Sequence, residues 1–329
     1  MAKAARDLVV VITGASSGIG RATALEFAKK GVTLVLAARS RENLEETAQK
    51  CRKSGAQVLV IPTDVSRENE VETLAERAME RFGRIDVWIN NAGVGLFARF
   101  ERAPLEEYRQ VIETNLFGPI YGARAALRQF RRNNSGILIN VSSQLAFGGS
   151  AYSSAYAISK YGLRALSDTL RQELIDTGIR VCTVYPASTD TPFFEHAANY
   201  MGREVKPIGS VSEARDVAKA IVRLVWRPKP DTLVGKSGYV VEPLHWIAPH
   251  LHARLLRNKT ERDHFQDKAA QPRSGNLFEA AEYASEKGGW KGSGTMGSIA
   301  AAAGVIGGLI FAWRTLRTRQ GSQHLSRVA

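Results

Sequence analysis

One stretch of the chain combines residues that could move a proton. Ser143 precedes Tyr156 by thirteen residues, and Lys160 follows Tyr156 by four. If the segment that opens near Tyr156 is helical, Tyr156 and Lys160 project from one face of that helix. An ammonium group beside a phenol favours the phenolate and is expected to lower the tyrosine pKa from about 10, which suits a general acid near neutrality. A Tyr/Lys pair alone is more often a surface pair, so this hypothesis depends on the motifs that accompany it.

A glycine-rich turn is the first of these motifs. Residues Thr13–Gly20 read Thr-Gly-Ala-Ser-Ser-Gly-Ile-Gly, directly after an apolar run and before a helical pattern. Glycines let the backbone turn tightly and approach a pyrophosphate, which then lies against the free N–H groups and the positive end of the helix. Close packing of a strand on a helix could also require glycines, but this turn stands where a nucleotide-binding crevice needs one.

Two residues that follow later apolar runs bear on which nucleotide would bind. Arg39 stands where an enzyme that selects NAD usually has an acidic residue for the ribose 2′-hydroxyl. Its forked guanidinium suits a 2′-phosphate, so NADP(H) is favoured over NAD(H), although an arginine at a strand end is often only solvated. Asp64 could hold the adenine amino group or cap the next helix, and the sequence leaves both interpretations open.

The elements that must position these groups alternate along the chain. Short apolar runs with the character of buried strands are separated by amphipathic helices, which predicts an α/β fold with a doubly wound, Rossmann-type, seven-stranded parallel sheet. The strands expected first are Leu8–Ile12, Val32–Ala37, Val58–Pro62, Ile85–Ile89, Ile137–Val141 and Val181–Tyr185, and the clearest helices are Arg21–Lys30, Arg41–Ser54 and Glu68–Phe82. A seventh strand is expected around Gly238–Val241, and residues 187–211 are expected to form a mobile loop over the site.

Composition and charge limit the class of protein. The chain has 329 residues, of which 44% are hydrophobic, so it suits a globular protein rather than a disordered or polytopic membrane protein. Lys and Arg outnumber Asp and Glu by 45 to 32, which favours anionic partners. The basic residues are not interleaved with aromatic residues, and the chain has no motif for nucleic-acid recognition. We therefore expect no nucleic-acid partner. The chain has only two cysteines, so no disulfide framework is expected. Its few histidines lack the spacing of metal ligands, so no metal site is expected.

The C-terminal part of the chain differs from the rest. The expected organisation is a nucleotide-binding catalytic domain at 1–255, a polar Gly-rich linker at 256–295, one apolar membrane helix at 296–314 and a basic tail at 315–329. From Gly292 to Trp313 there are 22 uncharged residues, a length that can span roughly 30 Å of hydrocarbon. An apolar helix that packs on the domain, or a disordered appendage, is the alternative. Arginines after the segment conflict with a catalytic domain in the cytoplasm under the positive-inside rule, so its topology stays open.

Together these motifs resemble the classical short-chain dehydrogenase/reductase family over roughly residues 6–245. The matching motifs are Thr13-x-x-x-Gly18-x-Gly20, Asp64, Asn90-Asn91-Ala92-Gly93, Asn115, Ser143, Tyr156-x-x-x-Lys160 and Pro186 through Thr191. The resemblance implies that Asn115 holds a water in a proton relay to Lys160 and that Thr191 touches the nicotinamide carboxamide. It also implies that Asn91-Ala92-Gly93 supports the sheet and the adenosine side of the cofactor. Ala187 departs from the pattern, because the family usually has glycine there.

The expected function is therefore NADP(H)-dependent hydride transfer between nicotinamide and a small-molecule carbonyl or secondary alcohol. The expected catalytic residues are Asn115, Ser143, Tyr156 and Lys160, of which Ser143 and Tyr156 also bind substrate. The expected cofactor-binding residues are Thr13, Gly14, Ser16, Ser17, Gly18, Ile19, Gly20, Arg39, Asp64, Val65, Asn91, Ala92, Gly93, Tyr156, Lys160, Pro186, Thr189 and Thr191. We further expect a homo-oligomer with a cytoplasmic catalytic domain that residues 298–313 attach to a membrane. The alternative is a catalytically silent nucleotide-sensing or scaffold protein of the same fold at a membrane.

Overall fold

A parallel β-sheet of seven strands forms the centre of the protein. The computed structural model describes residues 7–235 and 248–291, and the chain divides into two units, Met1–Gly292 and Ser293–Ala329. The strands are β1 Val9–Thr13, β2 Thr33–Ala38, β3 Val58–Pro62, β4 Val87–Asn90, β5 Leu96–Phe97, β6 Gly136–Val141, β7 Ile179–Pro186, β8 Thr189–Asp190, β9 Ala198–Asn199, β10 Arg203–Val205, β11 Ser212–Glu213, β12 Asp231–Val234 and β13 Phe265–Ala269. The order in the main sheet is β12-β7-β6-β4-β1-β2-β3, with every pairing parallel.

Helices cover both faces of this sheet. They are α1 Gly18–Ala28, α2 Arg41–Lys53, α3 Glu68–Phe82, α4 Leu105–Ile112, α5 Gly118–Arg132, α6 Ser154–Glu173, α7 Phe193–His196, α8 Ala214–Trp226 and α9 Pro249–Asp263. Apolar side chains of α1, α2 and α8 share one core with Val10 and Ile12 of β1. Those of α3, α5 and α6 share a second core with Val9 and Val11 of the same strand. Successive strand residues point to opposite faces, so a continuous apolar run supplies both cores.

The strand order reverses beside β1, and this reversal opens a crevice at the carboxyl edge of the sheet. The chain reaches β2 and β3 on one side of β1 and β4 on the other, so the loops after β1 and β4 leave in different directions. Ligands bind at such a switch point in open α/β sheets. The glycine turn follows β1 and Asn91 follows β4, so the sheet brings these two motifs to the crevice.

A buried set of amides fixes the strand ends behind the crevice. Asn90 donates to the side-chain oxygen of Asn140 on the neighbouring strand at 2.9 Å, and Asn140 donates to Ser167 of α6 at 2.9 Å. The indole of Trp88 donates to the side-chain oxygen of Asn90 at 2.8 Å. These bonds satisfy polar groups that would otherwise be costly to bury, and they tie β4, β6 and α6 together. The three elements that carry Asn91, Ser143 and Tyr156 therefore keep a fixed spacing.

The doubly wound fold is confirmed, and the six strands expected first each overlap an observed strand. The seventh strand of the sheet is not the predicted one. It is β12, Asp231–Val234, which pairs with β7 at the edge of the sheet. Residues 238–241 lie outside the described residues. The segment Asp231–Val234 is a partly exposed edge strand with a charged first residue, so its sequence lacks the continuous apolar character of a central strand.

The structure also differs from the predicted linker that follows residue 255. Residues 249–263 form α9, and β13 pairs antiparallel with β10. From residue 270 to 291 the chain is irregular but hydrogen-bonds to the domain, so the described part of this stretch packs against it. Within residues 7–235 and 248–291, no helix is long and apolar enough to cross a membrane. The predicted span at 298–313 lies outside these residues.

Candidate active site

The glycine turn is joined to the loop after β4 by one hydroxyl. The side chain of Thr13 accepts hydrogen bonds from the backbone N–H of Asn91 at 3.0 Å and of Ala92 at 3.2 Å. Asn91 returns a bond from its amide to the carbonyl of Thr13 at 2.9 Å. A Cβ at Gly20 would overlap the carbonyl oxygen of Gly14, so the turn is tight enough to exclude any larger residue there. Gly14 itself has φ +65°, a conformation that glycine adopts without strain.

A cavity of about 210 Å³ opens beside this turn at the end of β2. Its wall includes the residues expected to hold the phosphates and adenosine: Gly14, Ser16, Ser17, Gly18, Ile19, Arg39, Asp64, Val65, Asn91, Ala92 and Gly93. One oxygen of Asp64 accepts bonds from the backbone N–H and the hydroxyl of Ser66, at 3.0 and 2.7 Å. Asp64 therefore closes the turn after β3 but does not cap α3, whose N-cap is Arg67, and it faces the cavity, as expected of a residue that holds the adenine amino group.

Arg39 lies in the wall of the same cavity with its guanidinium engaged. It donates to the backbone carbonyls of Asn276 at 2.6 Å and Leu277 at 3.0 Å. Burial lowers the pKa of Arg39 from its ordinary value, and the carboxylate of Asp64 opposes that shift. An arginine with an intrinsic pKa above 12 stays charged under such a shift, so it presents a cation to the cavity.

A second cavity of about 300 Å³ adjoins the first and contains the proton-transfer residues. Ser143, Tyr156 and Lys160 line it together with Pro186, Thr189 and Thr191. Ser143 follows β6 and hydrogen-bonds to Tyr156, and the Lys160 ammonium lies 5.4 Å from the centre of the Tyr156 ring. Lys160 also donates to the carbonyl of Val141 at 3.0 Å. The helix α6 thus presents Tyr156 and Lys160 on one face, as their spacing predicts.

Burial dominates the acid–base properties of this pair. It raises the pKa of Tyr156 to about 12, although the hydrogen bond with Ser143 acts in the opposite direction. Burial also lowers the pKa of Lys160 to about 8. The lowering of the tyrosine pKa expected from the sequence is thus reversed in direction, because desolvation disfavours the phenolate. Tyr156 is consequently a neutral phenol at pH 7, which is the form that donates a proton.

Asn115 lies behind the catalytic pair in a π-helical turn, Glu113–Phe117, between α4 and α5. Its side-chain oxygen accepts from the backbone N–H of Val94 at 2.8 Å, and its amide donates to the carbonyl of Val94 at 2.9 Å. The amide also lies 3.3 Å from the hydroxyl of Ser159 on α6. The side chain thus ties the loop after β4 to α6. Single π-turns inside helices often occur at functional sites.

The predicted site residues come together in the fold. All but three of them line one of the two cavities, and the cavities share Ile19, Asn91, Gly93, Thr191 and Phe193. The exceptions are Thr13, Gly20 and Asn115, which support the walls from behind. Ala187, the departure from the family pattern, lies in the wall of the larger cavity and donates its backbone N–H to Val234 at 2.8 Å.

Comparison with known proteins agrees with this geometry. The family model for short chain dehydrogenases matches residues 8–200. The chain belongs to the short-chain dehydrogenase family. It is 34% identical to the uncharacterized oxidoreductase YxnA of Bacillus subtilis over 275 residues, which are 82% of this chain and 77% of that protein. It is 32% identical to the 3-dehydrosphinganine reductase of Danio rerio over 243 residues, which are 71% of this chain and 73% of that protein.

A solved structure of the family is similar over most of its length. The alcohol dehydrogenase from the archaeon Thermococcus sibiricus, complexed with 5-hydroxy-NADP, superimposes with a TM-score of 0.62 at 30% identity. The match covers 70% of this chain and 97% of that structure. The chain is accordingly a short-chain dehydrogenase/reductase, an oxidoreductase of a family that acts on alcohol and carbonyl groups.

One histidine of the larger cavity was not predicted from the sequence. His264, after α9, is buried in the wall of the larger cavity between the rings of Phe97 and Phe194, at centroid distances of 5.0 and 5.9 Å. Its Nδ1 hydrogen-bonds to the carbonyl of Lys206. Burial lowers the pKa of His264 from 6.5 to about 4. The residue stands alone between Asp263 and Phe265, so neither spacing nor composition signals its position.

His264 should make the dehydrogenase sensitive to mild acid. Its pKa is depressed in the folded state, so its contribution to stability is complete above the unfolded pKa of about 6.5 and is lost as the pH falls toward 4. The free energy of unfolding should drop by roughly 3 kcal/mol across that window beyond what the carboxylates contribute. Urea titrations of the wild type and His264→Phe at a series of pH values measure it. Equal pH slopes for the two proteins would contradict the assignment.

Proposed function

We propose that this short-chain dehydrogenase is an NADP(H)-dependent reductase of carbonyl compounds that works through Ser143, Tyr156, Lys160 and Asn115. The observation that carries the proposal is the meeting of two sets of groups in adjoining cavities. Phosphate-binding donors line one cavity, and an Oγ hydroxyl, a phenol and an ammonium group line the other. The shared walls between them are where a nicotinamide ring would have to lie for both sets to act on one ligand.

The residues present fit a dinucleotide. The positive φ angles of Gly14 and Gly18 and the lack of room for a Cβ at Gly20 describe a backbone shaped for close approach of a phosphate. Arg39, rather than an acid, ends β2 and supports a preference for a 2′-phosphate. Thr191 lies between the two cavities, where it would face the nicotinamide side. When bound, the cofactor would supply the hydride.

The chain itself would supply orientation and the proton. Ser143 would hold the substrate oxygen, and Tyr156 would donate its phenolic proton to that oxygen as it gains negative charge. Tyr156 holds its proton at pH 7, and carbonyl reduction requires this form of the residue. Lys160 would stabilise the phenolate that remains, and Asn115 holds the loop and helix that define the spacing. These separate roles for Ser143, Tyr156 and Lys160 support an enzyme rather than a catalytically silent nucleotide sensor.

The larger cavity favours a mainly apolar carbonyl substrate without a positive charge. Phe97, Phe147, Phe193, Phe194 and Leu256 are among its lining residues, and the described lining includes two lysines, Lys160 and Lys259, but no carboxylate. The ring of Phe193 lies 5.5 Å from that of Tyr156, edge to face, and so closes over the reacting end. The region 187–211, expected as a mobile loop, supplies α7 and its two phenylalanines to this wall. Apolar walls with few polar groups are typical of sites that bury most of a hydrophobic ligand.

The variant Tyr156→Phe tests the proton donor. It removes one hydroxyl, so the reduction of apolar ketones by NADPH should fall by about 10²–10⁴-fold while the Kd for NADPH stays nearly constant. Tyr161→Phe, the same change at an exposed residue of α6, is the matched control. A Tyr156→Phe enzyme with more than about half of the wild-type rate would refute the assignment. Wild-type protein that binds NADPH but turns over no carbonyl compound would favour the silent protein.

Arg39→Asp tests the choice of cofactor. It replaces a cation by an anion at the end of β2, so the Kd for NADPH should rise by roughly 10–100-fold and that for NADH far less. Arg41→Asp, an exposed arginine two residues later that does not line the cavity, changes the net charge equally and is the control. Equal losses of affinity for NADPH and NADH would show that Arg39 does not select the cofactor.

We include membrane attachment and self-association in the proposal. The support is the sequence of residues 298–313, an apolar segment with small residues every four positions. The full-length chain should sediment with membranes, whereas a chain that ends at Gly292 should not, and both should reduce the same carbonyl compounds. Leu309→Lys keeps the full length but places a charge mid-segment at a cost of about 3 kcal/mol, so it should also release the protein. Full-length protein that stays entirely in the supernatant would contradict attachment.

A further inference from the structure

The last described residues of the chain run across the cofactor cavity. We define residues 276–291 as the strap. At one end, the side chain of Leu277 is fully buried in a cluster with Val94 and Leu96, and the backbone N–H of Asn276 donates to His196 at 2.8 Å. At the other end, Asp190 accepts from the backbone N–H groups of Gly288 and Trp290 at 3.1 and 2.8 Å. The strap is therefore held at both ends.

Between these ends, carbonyl groups of the strap occupy the donors that were assigned to the cofactor. The backbone N–H of Gly18 and the hydroxyl of Ser17 both donate to the carbonyl of Ser285, each at 2.8 Å. Both terminal nitrogens of Arg39 donate to strap carbonyls, those of Leu277 and Asn276. Arg21 and Asn43, beside the same cavity, donate to the carbonyls of Ala284 and Ala281, each at 3.2 Å.

We propose that the strap is an internal competitor of the cofactor for these donors. The Gly18 N–H lies at the positive end of α1, and its hydrogen points to the Ser285 carbonyl, so a phosphate oxygen cannot take the same position while the strap is docked. The Arg39 guanidinium is engaged in the same way. The inference rests on the proposed cofactor site, and it adds that a dinucleotide binds fully as the strap leaves.

Either the neutral strap carbonyls or a charged phosphate can occupy these donors. Donors that are withdrawn from water are costly when unpaired, and strap carbonyls pair them without bringing a charge. A phosphate makes charge-assisted bonds to the same donors, roughly twice as strong as neutral ones, so it can displace the carbonyls. The apparent Kd for the cofactor then equals its intrinsic value divided by the fraction of molecules with an open strap.

Gly288→Ala in the full-length chain loosens the strap. Gly288 lines neither cavity, and a Cβ there would overlap the backbone oxygen of Thr191 and crowd the ring of Trp290. Thr191 lines both cavities, so a direct disturbance of that residue would weaken cofactor binding, and only a loosened strap would strengthen it. The Kd for NADP⁺, measured by calorimetry, should fall roughly tenfold. Lys291→Glu, which breaks the exposed ion pair with Glu213, should change it in the same direction by a smaller factor. Glu279→Ala, an exposed strap residue, is the control and should leave the Kd unchanged.

Hydrogen–deuterium exchange of the strap gives an independent reading. In the wild type, NADP⁺ should speed exchange of the peptide 276–291, while a peptide from α5 keeps its rate. Slower or unchanged exchange with NADP⁺ would overturn the competition, because the strap would then cover or ignore the bound cofactor. Equal Kd values for the wild type and Gly288→Ala would overturn it as well and leave the proposed function intact. Absence of NADP⁺ and NAD⁺ binding in all folded variants would refute the cofactor site and the competition together.

Discussion

The Thr13 hydroxyl, at the end of the central strand β1, accepts two backbone hydrogen bonds from the loop that follows β4. These bonds hold the glycine turn and the Asn91–Gly93 loop together at the point where the strand order reverses. Both cavities depend on that junction, because Asn91 and Gly93 belong to the walls of each. A parallel sheet opens a crevice at such a reversal, and the hydroxyl joins the two loops that border it. Behind this junction, a hydrogen bond between the side-chain amides of Asn90 and Asn140 joins β4 to β6.

Burial disfavours the charged forms of both Tyr156 and Lys160, so it moves their pKa values in opposite directions. It keeps the phenol of Tyr156 protonated and it weakens the hold of Lys160 on its proton. The same desolvation strengthens every hydrogen bond that the site can make to a developing charge. In the proposed function, the protonated phenol of Tyr156 is the proton donor. The apolar wall formed by Phe193 and Phe194 is part of the same effect, since it excludes water from the reacting end.

In the proposed function, the strap pairs with donors that a dinucleotide phosphate would otherwise use. Peptide carbonyls carry partial negative charge, so a segment along the crevice can hydrogen-bond to donors that also suit an anion. The cost is that the donors are shared between a permanent neighbour and a ligand. The ends of the strap are held by the side chain of Leu277 in its apolar cluster and by the carboxylate of Asp190, and neither of these groups is one of the shared donors. Changes at the ends can therefore tune the fraction of open molecules without altering the donors themselves.

The sequence by itself determined the α/β fold, six strands of the sheet and the predicted site residues, most of which line the two cavities. These features follow from local signals: apolar runs of strand length, helical periodicity, and glycines or a Tyr/Lys pair at short spacing. The edge position of β12, the burial of His264 and the path of the strap came only from the tertiary structure. The hydroxyl of Ser17 donates to the backbone carbonyl of Ser285, which lies 268 residues later in the chain. Because the acceptor is a backbone group, no pattern of side chains predicts this contact. The direction of the Tyr156 pKa was also decided by the fold, because desolvation depends on everything packed around the phenol and outweighs the pairing visible in the sequence.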